Sequence, residues 1–377
     1  MEPSDSPLHR AIVDEILLEG PLRFDRYMAL CLYHPAYGYY QRGEVVTGRE
    51  GDFYTAPHVH RLFGAAISNW ILARSAGPDP APGIIVELGP GNGHLAGDIL
   101  SHWTDSGTSR DVQIVLVEES AAQRDHLRGA FAGKPVRVAS PGEWDGLPNF
   151  TGVVLANEFF DALPLRVICR ENGELREIHV SVRGVDLCEV LLTLDPRSLG
   201  DEVRGILRGL PEGQRMEFAP EMETWLQRIS RKLDSGSLLV LDYGDVWETL
   251  SAPWRASGTL RCYHRHRVDS DPYRLAGEKD ITAHVNFTLL EDLARSAGFV
   301  RESFTTQASF LIRAGILDLL HDAMRGREGD PEVSREWLTI KNLIHDEEGM
   351  GEVFKAMVLT KGQEPDPSAP SRQAKKR

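Results

Sequence analysis

The chain has 377 residues, of which 41% are hydrophobic and 26% charged, and its formal net charge is −14. That mix belongs to a soluble globular protein of one elaborated domain or two interlocked ones, and it excludes a mainly disordered, collagenous or membrane-embedded chain. A chain this acidic repels phosphate backbones, so nucleic acid is not an expected partner and a cationic target suits it better.

Met1 to Arg10 has no apolar core and carries acids, so it matches neither a secretory signal nor a transit peptide. Residues 8–32 have a helical pattern, with Ile12, Ile16 and Leu17 at helix spacing. HPAYGYYQRG follows, dense in Tyr and Gly, and then GDFYTAPHVHRLFG, where Pro57 can open a helix. Val59, Leu62, Phe63, Ala66, Ile67, Trp70 and Ile71 then form one apolar stripe. Residues 1–80 are expected to be a helical segment that covers a cofactor. The turn-rich GPDPAPG (77–83) separates it from an α/β domain over 81–362.

In that domain IIVEL (84–88), QIVLVE (113–118), TGVVLAN (151–157) and SGSLLVLDYGD (235–245) are buried strands, and helical segments alternate with them. Alternation of this kind predicts a Rossmann-like, mainly parallel sheet. PLRVICR, ELREIHVSV and LCEVLLTL suggest a β-rich insertion at about 164–215. Helical patterns return at 219–233, 288–297, 310–325 and 333–346, and VFKAMVLTK (353–361) supplies a closing strand. Residues 363–377, rich in Pro, Ser and charge, are expected to be a disordered tail. Cys31, Cys169, Cys188 and Cys262 form no C-x-x-C pair, so free thiols and a cytoplasmic location are expected. No apolar run approaches the ~20 residues of a membrane span, so no membrane insertion is expected.

The sharpest motif is Glu87-Leu88-Gly89-Pro90-Gly91-Asn92-Gly93, placed between a strand and a helix. Glycines there let a ligand lie against the backbone, and the helix start offers free N–H groups. The dinucleotide fingerprint G-x-G-x-x-G is not met, because His94 stands where its third glycine belongs. A carboxylate at Glu87 repels a pyrophosphate but can pair with an ammonium. That suits S-adenosyl-L-methionine and makes a dehydrogenase the weakest option. Glu118 ends the second strand, where a carboxylate accepts ribose hydroxyls, with Glu119 the adjacent alternative.

Asn157-Glu158-Phe159-Phe160-Asp161 leaves the end of a third strand. Asn157, Glu158 and Asp161 are the catalytic candidates, and Phe159 and Phe160 are expected in the core. Asp242, and Glu217 before a helix, can add acids to one pocket if these ends converge. Carboxylates of that kind accept a guanidinium in a bidentate fork. The pairs His58/His60 and His264/His266 lack further ligands at metal spacing, so no metal site is expected.

Taken together, HPAYGYY (34–40), GDFYTAP (51–57), VELGPGNGHLAGDIL (86–100), ANEFFDALP (156–164), LDYGD (241–245), GTLRCYHRHRVDSDPY (258–273), DITAHVNF (280–287) and FLIRAGI (310–316) resemble the MidA-like S-adenosylmethionine-dependent methyltransferases. That group contains the mitochondrial complex I assembly factor that methylates a protein arginine. The resemblance implies a class I methyltransferase fold with the cofactor at Glu87, Gly89, Gly91, Gly93 and Glu118. It brings Asp52 and Thr55 near the cofactor and sets Asn157, Glu158 and Asp161 beside the substrate pocket. His58, Arg61, Asn92, His94 and Asn286 depart from the family pattern, which puts substrate identity in question more than cofactor class.

The expected reaction is methyl transfer to a nitrogen, with a protein arginine as acceptor and a protein as partner. The competing expectations are a non-catalytic assembly factor that binds a partner protein, and a methyltransferase for small molecules. The acceptor, the degree of methylation and the oligomeric state are not encoded in these motifs.

Overall fold

The structure, a computed structural model, describes residues 6–41, 60–74, 83–107, 112–264, 267–327, 331–345 and 351–362. Asp52, Thr55 and His58, the remainder of GDFYTAP, His266 and the tail 363–377 lie outside the described residues.

The strands, in chain order, are β1 (Leu22–Arg23), β2 (Ile84–Leu88), β3 (Gln113–Val117), β4 (Val136–Ala139), β5 (Phe150–Asn157), β6 (Arg166–Glu171), β7 (Glu174–Arg183), β8 (Asp186–Thr193), β9 (Arg215–Phe218), β10 (Leu233–Asp245), β11 (Arg261–His264), β12 (Arg267–Asp269), β13 (Asp280–Thr282), β14 (Val285–Asn286), β15 (Val300–Thr306) and β16 (Phe354–Lys361). The main sheet runs β15-β16-β10-β5-β2-β3-β4, with β14 beside the end of β10. From β10 to β4 every pairing is parallel, whereas β16 runs antiparallel between β10 and β15.

Alternate residues of the central strands serve opposite faces, as the two-residue period of a strand requires. Val86, Leu88, Val154 and Ala156 face a core shared with the N-terminal helices and the insertion. Ile85, Val153 and Leu155 face a second core under the helices Leu62–Arg74, His94–Asp105 and Gln307–Arg313.

A second, antiparallel sheet runs β1-β7-β6-β9, with β8 on β7, and a third runs β12-β11-β13. The second sheet corrects the expectation of one helix over 8–32. Ser6 caps a helix Pro7–Glu19 by accepting from His9 N–H at 3.1 Å. Gly20, with φ +91°, and Pro21 end it, and Leu22 and Arg23 then pair with Val180 and His179 before the helix Phe24–Tyr33 begins. The N-terminal segment is thus tied to the insertion by backbone hydrogen bonds. In the same way Gly315, with φ +84°, splits the expected helix 310–325 into Gln307–Arg313 and Ile316–Met324.

The chain order places the site. From β2 the chain winds outward through β3 and β4, then returns to β5 on the other side of β2 and continues to β10. Ligands of open α/β sheets bind at such a reversal, outside the carboxyl ends of the strands. The loops that leave β2 and β5 there are Gly89–Gly93 and Asn157–Asp161.

Candidate active site at the sheet reversal

Three glycines shape the first loop. Gly89, Gly91 and Gly93 have φ +60°, +51° and +78°, a region costly for residues with a Cβ. A methyl on Gly89 would meet the Phe159 ring at 3.0 Å, and one on Gly93 would meet the Phe131 ring at 2.6 Å. A methyl on Gly91 would meet nothing within 4 Å, so the loop is packed on both sides and open in the middle. The helix His94–Asp105 starts immediately after, with Gly93 at its N-cap and no side-chain cap.

Glu87 lies below this loop and is 4% exposed. One carboxyl oxygen accepts from the Ala96 N–H, while Oε2 is buried without a partner. Burial, with Asp98 nearby, pushes its pKa up to about 8. A buried acid so placed fits a cationic ligand group, which supplies the charge that the protein omits. The same shift fixes a pH dependence. The unfolded carboxyl ionises near 4.5 and the folded one only near 8, so the free protein loses stability as pH rises through that window. Glu87→Gln is therefore expected to melt above wild type at about pH 9, with the gap closing toward about pH 5 and cofactor affinity reduced. Differential scanning calorimetry across pH checks this; a wild-type advantage at high pH would refute it.

At the end of β3, Glu118 is half-buried and its Oε1 accepts from Ser120 N–H at 2.8 Å. Burial raises its pKa to about 7, against the opposing pull of the Ser120 amide and the Arg124 guanidinium. Arg124 also donates to the Glu118 and Glu119 carbonyls at 2.9 and 2.5 Å, and this fixes the turn. Gln123 spans the two loops, donating to Gly91 O at 2.6 Å and Asn92 Oδ1 at 3.0 Å. Glu119 is exposed, so of the two neighbouring acids only Glu118 turns inward.

The loop after β5 gathers the acids. Glu158 N–H donates to Leu241 O at 2.8 Å, and the residue holds a left-handed φ of +49°. Backbone strain of this kind persists only where its surroundings enforce it. Asn157 Nδ2 lies 3.4 Å from Glu158 Oε1, and Asn157 Oδ1 is buried without a partner. Asp161 is buried, and its Oδ2 accepts from Thr282 Oγ1 at 3.0 Å. Fully buried Asp242 accepts from the Phe160 and Asp161 amides at 3.1 and 3.3 Å. Burial, followed by the charges of Asp161 and Glu158, drives the Asp242 pKa well above the usual carboxylate range. Asp242 thus shapes the Phe160–Asp161 turn from beneath.

Further groups close the pocket. Tyr40 donates to buried Asp280 at 2.7 Å, and Tyr33 donates to Ala162 O at 2.9 Å. The Tyr33 and Tyr40 rings lie 5.4 Å apart, and Tyr243 hydrogen-bonds Thr282. Burial, with Asp280 and Asp161 among the nearby charges, raises the pKa of all three tyrosines well above normal, so they stay neutral. Tyr33, Tyr40, Tyr243, Asp280 and Thr282 thus join the candidate residues named from the motifs. Their sequence signals are the Tyr-rich run 34–40, LDYGD and DITAHVNF, which contain all of them but Tyr33.

The structure brings Glu87, Gly89, Gly91, Gly93, Glu118, Asn157, Glu158 and Asp161 to the carboxyl edge of β2, β3 and β5. It does not bring Glu217 there. That acid sits on β9, and its carboxylate accepts from Thr259 N–H at 3.0 Å and Thr259 Oγ1 at 3.1 Å, anchoring a loop. Phe160 is in the core, as expected, and Phe159 packs half-buried against that core, where it touches Gly89 and meets Trp225 edge-on at 5.0 Å. The described residues hold no cluster of His, Cys, Asp and Glu suited to a metal, and His60 Nδ1 instead accepts from Leu62 N–H at 3.2 Å.

A parallel sheet that reverses at β2, with a glycine loop over a buried acid that keeps one oxygen unpartnered, fits a Rossmann-like methyltransferase that uses S-adenosylmethionine. The family model for S-adenosyl-L-methionine-dependent methyltransferases matches residues 66–305, and the chain belongs to this MidA-like family. It is 27% identical to the mitochondrial protein arginine methyltransferase NDUFAF7 of Rattus norvegicus, over 95% of this chain and 86% of that protein. It is 29% identical to the Drosophila melanogaster homologue, over 79% of this chain and 72% of that one. A solved structure from Burkholderia thailandensis, bound to S-adenosyl-homocysteine, superposes with a TM-score of 0.84 at 30% identity, covering 96% of this chain and 93% of that one. S-adenosylmethionine is therefore the cofactor. The orphaned oxygens of Glu87 and Asn157 and the open face of Gly91 fit such a ligand.

Proposed function

We propose that this methyltransferase transfers the methyl group to a guanidinium nitrogen of an arginine in a protein, and that it does so in the cytoplasm. The observation that carries this reading is the cluster of Glu158, Asp161 and Asp280 among neutral tyrosines at the sheet reversal. Carboxylates hold a guanidinium by two of its nitrogens, and aromatic faces favour a cation. The names of the NDUFAF7 relatives point the same way. The described cysteines are unpaired, in keeping with a reducing compartment.

When bound, the cofactor supplies a methyl already activated on a cationic sulfur. Glu87, the glycine loop and Glu118 would hold it, Glu87 at the ammonium and Glu118 at the ribose. Glu158 and Asp161 orient the acceptor so that one nitrogen lone pair faces the methyl. Transfer of the methyl to that nitrogen would leave neutral S-adenosylhomocysteine, and Glu158 or water would take the guanidinium proton that the methyl replaces. Asp242 positions Asp161 through the turn amides, and the tyrosines exclude water.

Incubation with labelled S-adenosylmethionine and a cell extract, followed by mass spectrometry, is expected to find methyl groups on arginine. Label confined to a low-mass fraction, or to another side chain, would refute the assignment.

A further inference from the structure

Next to the acid pocket lies a segment of opposite charge. Residues 255–274 carry five arginines against two aspartates, in a chain whose net charge is −14. Both aspartates are engaged: Asp269 pairs with buried Lys279 and accepts from Asp271 N–H at 3.0 Å, and Asp271 accepts from Tyr273 N–H at 2.9 Å. Among the described arginines of this segment, Arg261, Arg267 and Arg274 are exposed.

The strand register relates this charge to the site. In the third sheet Tyr263 pairs with Val268 on one side and Asp280 on the other, while Arg261 pairs with Thr282. Paired residues share a face, and so do residues two apart on a strand. Arg261, Tyr263 and Val268 on β11 and β12 therefore continue the face on which β13 presents Asp280 and Thr282, the partners of Tyr40 and Asp161. Val268 is 61% exposed, and Arg261 is also exposed, donating only to Leu260 O and making no ion pair among the described residues. Half-buried Arg255 contacts His284 at 3.3 Å, and His284 meets Tyr243 edge-on at 5.7 Å. Burial, followed by the charges of Arg255 and Arg261, lowers the His284 pKa to about 4.

We infer that this face is the docking surface for an extended, acid-bearing stretch of the substrate protein, with Arg261 and Arg255 binding a carboxylate close to the arginine to be methylated. This rests on the arginine reading above. Charge complementarity selects the occupant. A lone substrate arginine is drawn by the pocket, a basic flank is repelled by Arg261, and an acidic flank satisfies both. A phosphate backbone would match the arginines, but it meets the carboxylates beside them.

The test uses the full chain, tritiated S-adenosylmethionine and three synthetic peptides with one central arginine flanked by aspartates, serines or lysines. Wild type is expected to favour the aspartate peptide over the lysine peptide by about tenfold in kcat/KM, carried by KM. Arg261→Glu is expected to reverse that order, while S-adenosylhomocysteine affinity, read by calorimetry, stays at the wild-type value. An unchanged order in Arg261→Glu, or equal use of the three peptides by wild type, would overturn the docking surface and leave arginine methylation standing. Transfer to no arginine peptide, with label still entering extract proteins at other side chains, would instead overturn the arginine reading and this inference with it.

Discussion

Glu158→Gln is expected to lower turnover by about 100-fold or more, the size of a lost proton acceptor or charge partner. Cofactor affinity should remain within about twofold, since Glu87 and Glu118, not Glu158, are the acids proposed to hold the cofactor. The substitution keeps the shape of the side chain and its contact with Asn157 Nδ2, and it leaves the backbone bond to Leu241 O intact. What it removes is the negative charge that also acts on Asp242 and Tyr263. Single-turnover kinetics, with calorimetry of S-adenosylhomocysteine, separates the two effects. A variant with wild-type turnover would dismiss Glu158 from the chemistry.

A paired glycine experiment dissects the loop. Gly93→Ala combines a left-handed backbone with a methyl forced to within 2.6 Å of the Phe131 ring and 2.9 Å of Leu127, both buried. Strain and overpacking together should cost about 2–4 kcal/mol of stability, read from the denaturant midpoint. Gly91→Ala has the same backbone sign but open space around the new methyl, so its cost should be about 1 kcal/mol. Its expected defect is in binding, because that methyl fills the space left for a ligand, and S-adenosylhomocysteine affinity should fall by about tenfold or more. If Gly91→Ala binds as wild type does, the cofactor does not cross the loop there.

The docking surface and the catalytic acids make separable demands. Altering Arg261 should change which peptide is used, and altering Glu158 should change how fast any peptide is used. Glu87 answers to a third probe, the pH dependence of melting, since its carboxyl is raised to about 8 by burial in the free protein.

By itself the sequence determined the elements whose patterns are local. Buried strands of Val, Ile and Leu and the glycine turn after β2 follow from short-range chemistry, and so does the placing of Glu87, Glu118 and Asn157 at strand ends. Those positions sit at fixed offsets from a periodic run, so no distant contact is needed to find them. The short strands β4, β9 and β13 lack such a run and pair with β3, β6 and β11, which lie well away in the chain, whereas β11 and β12 form a local hairpin. Tertiary structure alone decided the rest of the pocket. Tyr40 meets Asp280 across 240 residues, Thr282 meets Asp161 across 121, and Glu217 spends its carboxylate on Thr259 instead of joining the acids. The reason is physical: charge and hydrogen-bonding capacity are written in a residue, but which partner satisfies them depends on which distant segments the fold packs together.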